Sequence, residues 1–198
     1  YGLILVTGPT GAGKTTTLFG MLKYFSSTEI NIFTIENPVE YRIPGITQVQ
    51  INDKIGLDFA SGLRTALRQD PDIILVGEVR DLETAEIAFR ASLTGHKVLS
   101  TLHTNNAPAS INRLINMGVP AYLVTAAMRV VIAQKLLHRI CPHCKVEYKP
   151  AQSIIQRLSL APGKLIGTKF HKGTGCRECN QTGTYGRLGV YETMVITS

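Results

Sequence analysis

The chain has 198 residues, of which 44% are apolar and 18% charged, with a formal net charge of +7. These values are ordinary for a soluble globular protein with a full hydrophobic core. The most apolar window, residues 121–133, is interrupted by Thr125 and Arg129 and is too short to cross a bilayer, which excludes a membrane-spanning segment. No cationic region or cleavage site precedes the first apolar run, so we expect no signal peptide.

The positive charge is concentrated in the C-terminal third of the chain. Residues 1–134 carry eleven basic and eleven acidic side chains, whereas residues 135–187 carry ten basic ones against Glu147 and Glu178. A nucleic acid, an anionic lipid or an acidic protein could each bind such a basic segment.

A strand, a glycine-rich loop and a helix are the first predicted elements. The continuous apolar run at residues 3–6 is typical of a buried parallel strand, and the 3.6-residue spacing of apolar side chains predicts a helix from about Lys14. Between them, GPTGAGKT at residues 8–15 fits the phosphate-loop pattern G-x-x-x-x-G-K-[ST]. Lys14 would reach the β- and γ-phosphates, and Thr15 would bind Mg²⁺. The alternative is a glycine turn that binds nothing. The predicted nucleotide-binding residues are Gly8, Pro9, Thr10, Gly11, Ala12, Gly13, Lys14, Thr15 and Thr16.

Strands and helices alternate over the next hundred residues. The expected strands lie at residues 30–35, 73–76 and 98–102, with a short strand or hairpin within 41–52; the expected helices lie at 59–67, 82–93, 108–117 and 120–138. This alternation predicts an α/β fold with a parallel sheet covered on both faces.

Titratable side chains follow the ends of several predicted strands, where parallel sheets bind their ligands. Glu78 fits the metal side of phosphate hydrolysis, and Glu40 or Glu36 fits the activation of water. His103 could sense the γ-phosphate. Taken singly, each of these residues could instead be an ordinary surface charge or a histidine satisfied by backbone. His96 lies beside a predicted helix C-terminus, which favours a protonated imidazole without any catalytic duty.

All four cysteines fall in two CxxC pairs. Two such pairs present four thiolates at the spacing of a closed structural Zn²⁺ site, and two disulfides or an iron–sulfur cluster are the alternatives. Bound zinc would lower the local excess of positive charge, which argues against a nucleic-acid partner. The predicted ligands are Cys141, Cys144, Cys176 and Cys179.

Taken together, these motifs resemble the secretion ATPase superfamily, specifically the assembly ATPases of type II secretion and type IV pili. The resemblance covers essentially the whole chain and rests, besides the phosphate loop and the CxxC pairs, on TIENPVEY at 34–41, LRTALRQDPDIILVGEVRD at 63–81, TGHKVLSTLHTN at 94–105 and GRLGVYE at 186–192. It implies a RecA-like core that works in hexameric rings. The implied divisions are an ATPase core at 1–138, a zinc lobe at 139–182 and a C-terminal return segment at 183–198.

By position, the resemblance implies that Glu40 is the catalytic base, that Glu78 is the Walker B carboxylate near magnesium, and that His96 and His103 form the histidine pair. Asn37 replaces the aspartate usual in the family. The resemblance also suggests that arginines serve the nucleotide or a subunit boundary, with ordinary ion pairs as the alternative; these are Arg64, Arg68 and Arg80. Arg187 matches a family stretch without an assigned role.

The implied activity is ATP hydrolysis that drives the assembly of pilins or pseudopilins at the inner membrane, from its cytoplasmic side and through platform and accessory proteins. The CxxC pairs favour assembly motors over retraction motors. Full-length members carry N-terminal domains that supply arginines to the nucleotide, so we expect this region alone to hydrolyse ATP poorly. A RecA-like nucleic-acid translocase or helicase and a non-enzymatic nucleotide-dependent scaffold are the alternative functions.

Overall fold

The computed structural model describes residues 1–157 and 167–197. The elements of the core are β1 (Gly2–Thr7), α1 (Lys14–Phe25), β2 (Ile32–Glu36), β3 (Thr47–Gln50), α2 (Phe59–Ala66), β4 (Ile73–Val76), α3 (Leu82–Leu93), β5 (Lys97–Leu102), α4 (Ala107–Asn116), α5 (Ala121–Ala127) and β6 (Met128–Ile140). They are followed by β7 (Lys145–Glu147), α6 (Gln152–Arg157), β8 (His171–Gly173) and β9 (Thr184–Val195).

Seven of the described strands form one sheet in the order β3-β2-β4-β5-β1-β6-β9, and β7 pairs with β8 in antiparallel orientation. The pairs from β3 through β6 are all parallel. Their carboxyl ends therefore lie at one edge of the sheet, which is where the loops that follow β1, β4 and β5 meet. The predicted α/β class with a mostly parallel sheet is confirmed.

Helices cover both faces of this sheet. Successive strand residues point to opposite faces, so Leu5 and Val6 belong to different clusters of the core. The face of Val6 packs against α1 through Leu18, Phe19 and Leu22. The other face packs against α2, α3 and α5. This two-sided burial explains why the strands have continuous apolar sequences.

The predicted helix at 120–138 is wrong in its second half. The helix ends at Ala127, and the chain continues as β6 beside β1. Val130, Val131 and Ile132 form a β-branched run that suits a pleated surface and loses side-chain freedom in a helix. The segment 41–52 contains a single short strand, β3, which pairs in parallel with β2 and is not part of a hairpin.

The described chain divides into two compact units. One contains Tyr1–Lys135 and the segment from Gly189 onward, and the other contains Leu136–Leu188. In the part of the chain that the structure describes, no helix has the length and apolar character needed to cross a bilayer.

Side chains cap three helices of the core, whereas α1 and α5 begin without a side-chain cap. The carboxylates of Asp58 and Asp81 and the side chain of Asn106 accept backbone N–H bonds at the N-termini of α2, α3 and α4. Helix α1 begins after Gly13 with no side-chain cap and no acidic residue in its first turn. Among the described residues, no side chain therefore caps its N-terminal amides at the positive end of the helix dipole.

We expect the difference in melting temperature between the wild-type protein and Asp58→Asn to shrink between about pH 5 and about pH 3. The backbone N–H and the hydroxyl of Ser61 hold the pKa of Asp58 below its ordinary value. Such a carboxylate stabilises the fold fully above its unfolded pKa of about 3.9, and this contribution is lost as the pH falls through the lowered folded pKa. Asparagine also caps helices but does not titrate. Calorimetry at both pH values measures the difference, and a constant difference would contradict the prediction.

Candidate functional site

The glycine-rich loop at residues 8–15 lies at the carboxyl end of β1 and leads directly into α1. Gly8, Gly11 and Gly13 have φ values of 148°, 75° and 83°. At Gly8, a Cβ atom would also lie 2.3 Å from the Gln134 carbonyl oxygen of β6, so only glycine fits. This loop and the uncapped end of α1 together form an anion site of the kind that binds nucleotide phosphates.

Lys14 folds back onto the loop. Its Nζ donates to the carbonyl oxygens of Gly8 and Pro9, at 2.9 and 3.1 Å. Burial lowers the pKa of Lys14, and the negative charge of Glu78 opposes that shift. The ammonium is therefore held over the loop, beside carbonyl oxygens that a phosphate oxygen could replace.

Glu78 and His103 follow the neighbouring strands β4 and β5, and the structure brings them together. Glu78 is only 18% exposed, and its Oε2 lies 3.8 Å from His103 Nε2. Its Oε1 accepts a 2.6 Å hydrogen bond from Arg80, and this bond raises the pKa of the guanidinium. Mg²⁺ prefers oxygen ligands. The Glu78 carboxylate and the exposed hydroxyl of Thr15 provide such oxygens, so the residues present fit this ion.

Glu36 and Glu40 have different environments. Glu36, at the end of β2, is 3% exposed, and its Oε1 accepts hydrogen bonds from Thr34 Oγ1 at 2.5 Å and from Gln48 Nε2 at 3.1 Å. Glu40 is exposed. Gln48 also bonds the backbone of Tyr41 and Ile43, so that it fixes the loop between β2 and β3. Glu36 thus positions the loop that carries Glu40.

The structure does not bring His96 to the phosphate loop. His96 precedes β5, its Nδ1 lies 3.0 Å from the Ala91 carbonyl oxygen, and its own carbonyl oxygen accepts the Gly2 N–H at the start of β1. The six residues of β5 place His96 about 20 Å from the carboxyl ends of the strands, where the phosphate loop lies.

Arg64, one of the arginines singled out in the sequence, forms an ion pair with Glu83 at the surface.

The four cysteines converge in the second unit. Their Sγ atoms all lie within 4.8 Å of one another, and the separations include 3.8 Å for Cys141–Cys176, 3.9 Å for Cys144–Cys179 and 3.6 Å for Cys176–Cys179. A tetrahedral site with Zn–S bonds of about 2.3 Å places the sulfurs about 3.8 Å apart. All four thiols are free, so the disulfide alternative does not describe this structure.

Two backbone N–H groups donate hydrogen bonds to the sulfur of Cys179. Burial raises its pKa, but the N–H groups of Cys176 and Gly183 each donate to it at 3.3 Å and bring the pKa down to about 6. N–H donors of this kind also stabilise thiolates that are bound to a metal. The sulfur geometry and these donors both fit Zn²⁺.

Three polar side chains near the loop were missed in the sequence. Gln134 is 3% exposed; its Nε2 donates to the Ala12 carbonyl oxygen and its Oε1 accepts from Thr17 Oγ1, both at 2.7 Å. The Thr104 and Thr7 hydroxyls lie 2.7 Å apart, which joins the ends of β5 and β1. None of these three side chains is titratable. Thr104 belongs to the TGHKVLSTLHTN stretch at 94–105, but nothing in the sequence indicated its contact with Thr7.

The family described as "Type II/IV secretion system protein" matches residues 1–198.

The chain belongs to the type II/IV secretion system protein family.

Named relatives cover nearly all of the chain. It is 52% identical over 198 residues to the type IV pilus assembly ATPase PilB of Myxococcus xanthus, covering 98% of this chain and 34% of that protein. It is 48% identical to the type II secretion system protein E of Klebsiella pneumoniae, covering 99% of this chain and 39% of that protein. The chain thus spans between a third and two-fifths of the length of these two relatives.

A solved structure shares the fold. The pilus retraction motor PilT with bound ADP superposes with a TM-score of 0.69 at 33% identity, over all of this chain and 48% of that chain. The family resemblance drawn from the motifs is confirmed.

Proposed function

We propose that the chain is the ATP-hydrolysing region of a motor that assembles pilin or pseudopilin filaments. The observation that carries this proposal is the phosphate loop at the uncapped end of α1, beside Glu78 and His103. Family membership supports the ATPase activity, and the relatives named for pilus assembly and type II secretion support the assembly role.

The proposed roles follow the environment of each side chain. The loop amides and Lys14 bind the β- and γ-phosphates. Thr15 and Glu78 hold Mg²⁺, which when bound neutralises charge on the phosphates. His103 donates to the γ-phosphate from beside Glu78. Every proposed group except Glu40 lies on the loop or at the adjoining ends of β4 and β5.

We assign the general base to Glu40 and a positioning role to Glu36. A base that accepts a proton from water needs free carboxylate oxygens, and Glu40 is exposed in the loop between β2 and β3. Glu36 already uses Oε1 for Thr34 and Gln48. Its burial suits the fixing of the 37–43 loop better than proton transfer.

We also propose a zinc site in the second unit and a hexameric assembly of the complete protein. The cysteine cluster holds Zn²⁺ as a closed structural site in the region 139–182, and the C-terminal segment 183–198 returns to the core. The complete protein acts as a homo-hexamer on the cytoplasmic side of the inner membrane, with platform and accessory proteins. The relatives' names favour this function over a helicase or nucleic-acid translocase.

The Glu40→Gln variant of the complete protein tests the proposal. We expect kcat for Mg·ATP hydrolysis to fall about a hundredfold or more, because general-base catalysis contributes about 10² to 10⁴ in rate. The affinity for Mg·ATP should change little, since glutamine keeps the size and removes only the proton acceptor. Phosphate release gives the rate, and nucleotide titration gives the affinity.

Glu29→Gln is the matched control, because Glu29 is an exposed glutamate in the connection before β2. It should retain the wild-type rate. A Glu40→Gln protein with more than a third of the wild-type kcat would contradict the assignment of Glu40 as general base. A wild-type protein that does not hydrolyse ATP would contradict the proposed function.

A further inference from the structure

Gln134 contacts the phosphate loop at two places and the first turn of α1 at a third. Its backbone carbonyl oxygen fills the space beneath Gly8, its side-chain Nε2 donates to the Ala12 carbonyl oxygen, and its Oε1 accepts the hydroxyl of Thr17. Because β6 pairs with β1 in the register Ala133↔Thr7, the residue after Ala133 lies directly beside the start of the loop. One residue of β6 therefore contacts the start of the loop, its middle and the first turn of α1.

We propose that Gln134 is a positioning residue for nucleotide binding. It sets the direction of the main-chain amides that bind the phosphates. This inference rests on the proposed ATPase function and adds to it a residue outside the phosphate-loop motif.

The hydrogen bond from Gln134 fixes the direction of the peptide group between Ala12 and Gly13. In a trans peptide the C=O and the N–H point in opposite directions, and the cis peptide found among the described residues is Asn37–Pro38. Since the Ala12 carbonyl oxygen points to Gln134 at 2.7 Å, the N–H of Gly13 points away from β6. Gly13 has a positive φ of 83°, where no side chain restricts the backbone, so the hydrogen bond supplies the missing restraint.

Thr17 determines which way the amide faces. Its hydroxyl donates to Oε1, which leaves Nε2 directed at Ala12. A buried amide bonded at both ends has one favourable orientation, and losing a partner would leave a buried polar atom unsatisfied. Thr17 thus acts through Gln134, and the two residues form one unit that links the loop to α1.

The Gln134→Met variant tests the role, because methionine has similar length but cannot make either hydrogen bond. In the complete protein we expect the Kd for Mg·ATP and the KM to rise about tenfold, which is the effect of about one lost hydrogen bond. Once ATP saturates the site, kcat should remain within about threefold of wild type, because no group that takes part in the reaction is removed.

The Thr17→Val variant tests the positioning role of Gln134 a second time. We expect it to raise the Kd about threefold by itself and to add less than about twofold in a Gln134→Met background, since coupled residues are not additive. Ser92→Ala is the matched control. Ser92 is a buried polar residue of α3 that donates to Phe89 far from the loop, so its loss should lower the melting temperature and leave the Kd unchanged.

The outcomes separate the two proposals. A Gln134→Met protein that melts lower than wild type but binds Mg·ATP with wild-type affinity would overturn the positioning role alone. Should Gln134→Met fail to fold, additive or absent effects of Thr17→Val on the Kd, measured singly and with Gln134→Asn, would overturn it. A wild-type protein without affinity for Mg·ATP would overturn the proposed function as well.

Discussion

Replacing Lys14 with alanine is expected to slow ATP hydrolysis by at least about a hundredfold, the usual effect of removing one group that stabilises developing negative charge. In the structure the Lys14 ammonium is partly buried and bonded to the Gly8 and Pro9 carbonyl oxygens. It can exchange these neutral acceptors for charged phosphate oxygens, which form stronger hydrogen bonds. The rate of phosphate release from the complete protein at saturating ATP measures the effect.

Two further variants test whether the loss of rate is specific to the Lys14 side chain. Lys23→Ala removes a lysine from the last turn of the same helix and should leave the rate unchanged. Lys14→Arg keeps the charge but places a larger planar group in the loop, so it should not restore the rate. Retention of more than a tenth of the wild-type rate by Lys14→Ala would count against the phosphate-binding role of the loop.

Removal of one cysteine is expected to have the second large effect, confined to the unit Leu136–Leu188. The protein should contain about one zinc per chain, and Cys144→Ser should lose it, because serine is a poor Zn²⁺ ligand compared with thiolate. Binding of structural zinc contributes about 10 kcal/mol to the folding of small metal domains. Among the residues of this unit that the structure describes, few apolar side chains are buried to replace that contribution.

Metal analysis and limited proteolysis measure these changes together. Cleavage should begin within 136–188 in Cys144→Ser and in chelator-treated protein, while the core of the first unit stays intact. Ser153→Ala, at an exposed position of α6, is the control and should keep both its zinc and its protease resistance. Zinc-free wild-type protein with the same proteolysis pattern as untreated protein would show that the cluster is not a structural zinc site.

The sequence alone predicts correctly those elements in which the local motif and the hydrophobic pattern indicate the same structure. The strand, loop and helix at residues 2–25 combine a buried apolar run, a spaced glycine motif and a helical period, and the structure has all three there. The placement of Glu78 near His103 could also be predicted, because both follow strands of one parallel sheet.

Other features depend on tertiary contacts that no local pattern encodes. The segment 128–138, predicted as the second half of a helix, is instead part of a strand, because its pairing with β1 outweighs the helical pattern. One hydrogen-bond donor to the buried Glu36 is Gln48, which comes from a different strand. Gln134 lies more than a hundred residues from Ala12, so only the sheet order brings the two into contact.

In the proposed site, main-chain amides and the open first turn of α1 would recognise oxygens of the phosphate chain, and these oxygens are the same in every nucleoside triphosphate. Exchanging adenine for guanine would leave each of these contacts intact. A preference for one purine therefore has to come from side chains outside residues 8–16.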